Sequence, residues 1–535
     1  MTKPRFRSKD SRNPPKTSSF WARGKRLAVT ARASWCGIAV AGVACAHLGC
    51  TPLTHPRPAL SAGVATGEHI TAAPQRLDLD VVIRPRIGLD PHFDVEVSAR
   101  SDDLPRRFVV QKAWAGEPSV LGRIADVTAT CAGAPVEVTR EDLDTHVGWT
   151  LPAACAEAKL SYRVGASPEG LDWGTEYEAV VTPSFASMIA ETALVLPDVP
   201  DETRARVQVY FDLEDMPGAE GVYSLGSGQV ETTTRAARHA YLAVGKFVTK
   251  RVTVANLTLE ARFTSSVQFD TTQAMNDLAR LLKSESELFT DDPGDTLRML
   301  VVGMPEANGA SHGTSLTSSA ALWVDGEKPW NIEDARLSAH EMFHLYNGQV
   351  VRRAPPDERT YWLSEGFTEH YTDELMLRAH AWTAHDWFEA VRYRVRAYHT
   401  NKEVETPNDR AELGWGGAAA QLPYLRGSLI AAFVDHVMRE HSGGARSLDD
   451  FMRELVVRAR EGKPPLDQQE ILHLLAREID ADAMRVVREV AIEGKRMVLP
   501  ADAFGSCVVV VGSGLDTDVE VRPGVDLDKC VDAGR

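Results

Sequence analysis

His340, Glu341 and His344 constrain this chain more than any other residues; they lie in the run NIEDARLSAHEMFHLYNG, from Asn331 to Gly348. Residues four apart on a helix share a face, so both imidazoles can address one metal ion. Glu341 stands about 100° round the helix from His340, within reach of a water held there. The stretch reads as helix because Asn331 suits an N-cap and Asp334 follows three residues on. A tetrahedral zinc site built on two His lacks one protein ligand and keeps its fourth position for water. Glu365 is the natural third ligand. It lies in TYWLSEGFTEHY, where Trp362, Leu363, Phe367, Tyr371 and Leu375 recur at helical spacing. Between the two segments, Pro355 and Pro356 supply the turn that two packed helices need. The plainer reading is a solvated helix with two ordinary histidines, since the chain has 16. The helical pattern, the second acidic segment and the turn together favour a site for one zinc ion.

His-Glu-x-x-His followed by Trp-x-x-Glu-Gly-Phe-Thr-x-x-Tyr resembles the gluzincin zinc metallopeptidases. The likeness is to the glycyl aminopeptidase family and, more distantly, to the aminopeptidase N family. Phe343 and Asn347 in HEMFHLYN fit the glycyl aminopeptidase pattern His-Glu-x-Phe-His-x-Trp-Asn, with Tyr346 in place of Trp. The stretch PYLRGSLIAAFVDHVMREHSGGARSLDDFMREL, residues 423–455, resembles that family's region after the metal site, with Arg426 where Lys is usual. The likeness spans roughly residues 80 to 500 and is loose in the amino-terminal part. It implies hydrolysis of a peptide or protein substrate by a zinc-activated water. His340, His344 and Glu365 would hold the zinc, and Glu341 would act as general base. Glu369 and Asn347 would stand behind the ligands, Glu369 orienting a ligand His. An oxyanion donor is also needed, and Tyr393, Tyr398 and Tyr424 are available. In the aminopeptidase N family a Tyr-x-Lys-Gly tyrosine plays that part; the likeness selects Tyr424, just before a helix that starts near Gly427.

One segment departs from these relatives. Their pattern Gly-Leu-Glu-His places a Glu that holds the substrate's free amino group. Here the matching residues are Gly313, Thr314, Ser315 and Leu316, so Ser315 stands in the Glu position. A hydroxyl cannot supply the charge-assisted bond that an ammonium group favours. Glu306 is the nearby alternative acid. Peptidase chemistry is therefore better supported than strict aminopeptidase specificity, and exopeptidase and endopeptidase action both stand open. NGASHGTSL (308–316) reads as a Gly-rich loop, and TSSAALWVDG after it as the edge strand that pairs with substrate in thermolysin-like folds.

The first 50 residues read as an export device. Ten Lys or Arg face one acid, Asp10, and an apolar run from Ala33 to Gly49 follows. That run is short of the roughly 20 apolar residues of a membrane span. Gly49-Cys50 resembles a bacterial lipoprotein cleavage site, with Cys45 as a second candidate. The expected product is held at the membrane of the bacterial cell envelope through a lipid on Cys50, or else secreted or periplasmic. Cys131, Cys155, Cys507 and Cys530 form two close pairs, 24 and 23 residues apart, which fits two local disulfides in an oxidising compartment. Removing the leader takes the net charge from −16 to −25, which argues against nucleic acid as a partner.

Short, partly alternating strands fill residues 76–190, and more sheet follows to about 270. TTQAMNDLARLLKSESELF (271–289) carries apolar residues at helical spacing, and residues 373–494 read mostly as helix. The expected fold class is α+β. A leader (1–50) and linker (51–75) precede an amino-terminal β-sandwich-like domain (76–195) and a thermolysin-like zinc catalytic domain (196–380). A helical region (381–500) and a short disulfide-linked β tail (501–535) follow. The rival reading is a non-catalytic binding or structural lipoprotein on a retired peptidase scaffold. The presence of all three ligands and the base argues against it. The sequence sets no oligomeric state.

Overall fold

Arg76–Arg86 and His92–Arg100 alternate apolar and polar residues and form half-buried strands. Leu77, Leu79, Val81 and Ile83 point inward from the first, and Phe93, Val95, Val97 and Ala99 from the second. Both belong to a seven-stranded sheet in the order Gln229–Thr233, Arg204–Phe211, Arg76–Arg86, His92–Arg100, Glu157–Gly165, Ile124–Cys131, Ala134–Val136. A four-stranded sheet containing Arg107–Gln111 and His146–Thr150 shares its core, which makes a β-sandwich. A disulfide joins Cys131 to Cys155 in this domain. The computed structural model describes residues 76–114, 123–168, 170–172, 175–290, 296–305, 311–411 and 418–533. The leader with Cys45 and Cys50, the linker and Glu306 lie outside the described residues.

The amino-terminal sheet and its core reach past residue 195. Arg204–Phe211 pairs in parallel with Arg76–Arg86, and the amino-terminal core continues to Val244. Pairing between such distant segments leaves no local mark. A second core runs from Val254 to Val531, through the helices that carry the two motif segments, the helical region and the tail. The tail is a hairpin of Val508–Val511 and Asp518–Val521, tied by Cys507–Cys530 and followed by a helix, Leu527–Ala533.

The sheet of the second core has five strands in the order Phe247–Val254, Leu257–Thr264, Thr296–Met304, Ser319–Asp325, His312–Leu316. One face packs on the helices. The other meets a four-stranded sheet of the β domain across a small core with Phe185, Tyr241, Leu300, Leu316 and Trp323. The expected edge strand is corrected here. Ser319–Asp325 is an interior strand, buried at every position, as its continuous apolar run suits. The edge is His312–Leu316, part of the segment expected to be loop. Short, polar and glycine-bearing, it has the character of an edge.

Helix Thr271–Phe289 buries Met275, Leu278, Leu281 and Leu282, as expected. Glu285 lies on the same stripe, fully buried, with both carboxyl oxygens unpartnered among the described residues. Burial holds its carboxyl well above the usual range, so the fold keeps it protonated. The unfolded chain ionises it at the ordinary value. Its contribution to stability is therefore present below that value and lost as pH rises toward the raised one. Glu285→Met is expected to stabilise the protein by about 1–3 kcal/mol at pH 8, with the gain shrinking toward pH 5. Equal shifts in melting temperature at both pH values would show that the carboxyl is not held protonated.

Candidate metal centre

The first metal-site helix, Ile332–Phe343, starts from a reciprocal cap. The Asn331 side chain accepts from the N–H groups of Glu333 (2.8 Å) and Asp334 (3.4 Å), and Asp334 accepts from the Asn331 N–H (3.1 Å). His344 closes the helix as its C-cap, and the chain then opens into a wider turn, Leu345–Val350. After the Pro355-Pro356 turn the second helix runs from Tyr361 to Arg378. Asn347 pins one to the other. It is fully buried, and its amide donates to the carbonyls of Leu363 and Ser364 and to Thr368 Oγ1, each at 3.1 Å.

This packing brings His340, His344 and Glu365 to one point. The two Nε2 atoms are 3.1 Å apart, and Glu365 Oε2 lies 3.5 Å from His340 Nε2 and 3.3 Å from His344 Nε2. Each ring turns its other nitrogen to an acceptor. His340 Nδ1 is 3.1 Å from Glu369 Oε1, an ion-pair contact without hydrogen-bond alignment. His344 Nδ1 is 3.3 Å from the Asn347 carbonyl. The Nε2 lone pairs are thus free to converge with a carboxylate oxygen, an N, N, O donor set that suits zinc.

The charges ask for a cation at that point. Burial alone would depress His340, but contact with Glu365 and Glu369 outweighs it and lifts the imidazole to about 10. Burial pushes Glu365 up, yet His344 and His340 hold it well below the usual carboxylate range. Glu369 behaves alike: burial opposes ionisation, and Arg336, His340 and Arg394 enforce it. Arg336 Nη2 lies 2.5 Å from Glu369, and Arg394 Nη2 2.5 Å from Asp373, in a fully buried network.

Glu341 faces the edge strand. A Cβ on Gly313 would come within 2.5 Å of Glu341 Cγ and 2.7 Å of Oε1, so only glycine lets strand and helix approach this closely. Burial raises the Glu341 carboxyl, and His340 and His344 limit the rise.

Tyr424 sits inside helix Leu422–Ser442, in its first turn. This corrects the expected start near Gly427; Pro423 at the helix start suits that earlier beginning. Its ring stacks toward His340 at 6.2 Å between centroids. Burial first, then Glu365, Tyr177 and Glu341, raise its phenol well above the usual range. The backbones of this helix and the second metal-site helix touch where Gly366 meets Gly427, and a Cβ on either would collide with the other helix. Arg426 points elsewhere, donating to the carbonyls of Val404 (3.0 Å) and Thr406 (2.6 Å). Tyr393 is 43% exposed, on the side of the Glu369, Arg336 and Arg394 network, and Tyr398 accepts from the Met497 N–H (3.0 Å).

Ser315 lies on the edge strand, two residues from Gly313, with a buried Oγ that has no partner among the described residues. Sequence reasoning missed what the β domain brings here. The Tyr177 hydroxyl donates to the Gly313 carbonyl at 2.8 Å, and Glu176 Oε1 lies 2.9 Å from His312 Nδ1. No periodicity or motif marks Glu176 or Tyr177; only the fold joins them to the site.

Residues 333–416 match the family model described as M61 glycyl aminopeptidase. No curated protein matches the chain. Among solved structures the chain is similar to an aminopeptidase N family protein from Idiomarina loihiensis, at 14% identity and a TM-score of 0.66. That match covers 81% of this chain and 79% of the other. It is also similar to an M1 zinc metallopeptidase from Deinococcus radiodurans, at 18% identity and a TM-score of 0.53, over 80% of this chain and 95% of that one. A variant of the latter, bound to a Tyr-Ser-Ala substrate, matches with the same figures. At such identities the solved structures speak for the fold. With the family match, they support a gluzincin-type peptidase.

Proposed function

We propose that this chain is an exported zinc metallopeptidase, with His340, His344 and Glu365 holding one zinc ion and Glu341 as general base. The observation that carries the reading is the convergence of one donor atom from each ligand, all within 4.8 Å of one another. When bound there, zinc supplies a Lewis acid that polarises a carbonyl and acidifies water. The protein's own groups do the rest. Glu341, its carboxyl raised by burial, takes a proton from the attacking water and hands it to the leaving amine. Tyr424, held protonated, donates to the oxygen on which charge develops. Glu369 and the Asn347 carbonyl orient the ligand rings. The edge strand lines up the substrate backbone. Ser315 leaves an aminopeptidase-like cleft without the charge that usually grips an amino terminus. Export, and a lipid on Cys50, rest on the basic and apolar leader; among the described residues no helix is long and apolar enough to cross a membrane.

Residues 51–535, purified without chelators, should carry about one zinc per chain. His344→Ala or Glu365→Ala should lose it. Elemental analysis that finds the wild-type protein metal-free rules out the reading.

A further inference from the structure

The β domain grips the edge strand His312–Leu316 at both ends and leaves it little backbone to offer. The strand pairs with its neighbour from Leu316↔Ser319, across a two-residue turn, to His312↔Trp323. In such a register residues alternate between bonding the neighbour and facing away. Gly313 and Ser315 face away, where a peptide would add as a further strand. The Gly313 carbonyl is already taken by the Tyr177 hydroxyl at 2.8 Å. The Tyr177 ring packs edge-on against Trp323 at 5.5 Å between centroids, which holds the hydroxyl in place. Beside it, Glu176 meets His312 at 2.9 Å. At the other end the Thr317 N–H donates to the His239 carbonyl at 2.9 Å, and the Trp114 indole N–H donates to Thr314 Oγ1 at 3.3 Å. Trp114, Glu176, Tyr177 and His239 all belong to the β domain. Between these contacts stands Ser315, its Oγ buried and unpartnered among the described residues.

We propose that Tyr177 is a specificity-determining length gate. By holding the Gly313 carbonyl it takes one of the two acceptors the strand offers a substrate, leaving the Gly313 N–H and the Ser315 backbone, and selects short peptides over long ones. The gate rests on the peptidase reading above. Gly313, whose carbonyl Tyr177 holds, packs directly against Glu341, which sets Tyr177 beside the reacting end of the cleft.

Tyr177→Phe in the full chain keeps the ring on Trp323 and removes only the donor. The test measures kcat/KM on peptides of two to eight residues, lengthened in separate arms on the amino and carboxyl sides of one scissile bond. The wild type should lose efficiency with length. In the variant the long-to-short ratio should rise about 3- to 10-fold, the scale of one main-chain hydrogen bond, mainly through KM. The arm that responds identifies the side of the substrate lying over Gly313; no response in either arm overturns the gate. The same peptides, titrated calorimetrically against Glu341→Gln protein with and without Tyr177→Phe, give a readout that does not need turnover. An unchanged dependence of Kd on length there also overturns the gate. Absence of zinc or of all hydrolysis in the wild type would instead strike the peptidase reading, and is read separately from the length ratio.

Discussion

Glu341→Gln is expected to keep its metal and melting temperature and to lose about 10²–10⁴ in kcat, since an amide cannot accept the water's proton. Gln is the right probe because the site fits the longer side chain. Glu341 Cγ lies in the space a Cβ on Gly313 would need, so an isostere fills the slot and a shorter acid does not. The pH profile should carry the same signature. A base works when deprotonated, so activity falls as pH drops through its pKa. Burial raises the Glu341 carboxyl, which puts the acid limb of kcat/KM above the ordinary carboxylate range. That limb should vanish in the Gln variant's residual activity. A metal-loaded Gln variant as active as wild type would place the base elsewhere.

Tyr424→Phe should cost roughly 10²–10³ in kcat, the usual loss for one oxyanion donor, with KM and zinc content little changed. Its phenol stays protonated well above the usual range and so remains a donor at working pH. Tyr398 bonds the Met497 backbone, and its loss should lower stability rather than kcat. Tyr393 is exposed, and its loss should do little to either. Wild-type kcat in Tyr424→Phe, with a crippled Tyr393→Phe or Tyr398→Phe, would show that the donor has been misassigned.

The convergence of His340, His344 and Glu365 was legible because its logic is local. His340 and His344 are one helical turn apart, the cap at Asn331 is spelled out within three residues, and Glu365 follows a marked turn. The place of Tyr424 beside His340 was legible only through family likeness, since three tyrosines fit the residue pattern equally. The edge strand was misplaced because apolar content favours Ser319–Asp325, and apolar content measures burial, not position in the sheet order. The β domain's extent and its reach into the cleft were not legible. Pairing of Arg76–Arg86 with Arg204–Phe211, and the meeting of Tyr177 with Gly313, depend on how distant segments close on each other.

The contact of Gly366 with Gly427 gives the cleft a stiff wall and a compliant one. Main chain rests on main chain there, with no side chain between to change rotamer, and close-packed interiors resist compression. Glu365 and Tyr424 therefore ride on a single rigid body. The opposite wall is tied more loosely, through side chains: the Trp114 indole to Thr314 at 3.3 Å, and Arg235 to Gln349 at 3.4 Å. On the peptidase reading proposed above, substrates of different girth would be accommodated from that side, while the span from Glu365 to Tyr424 stays constant.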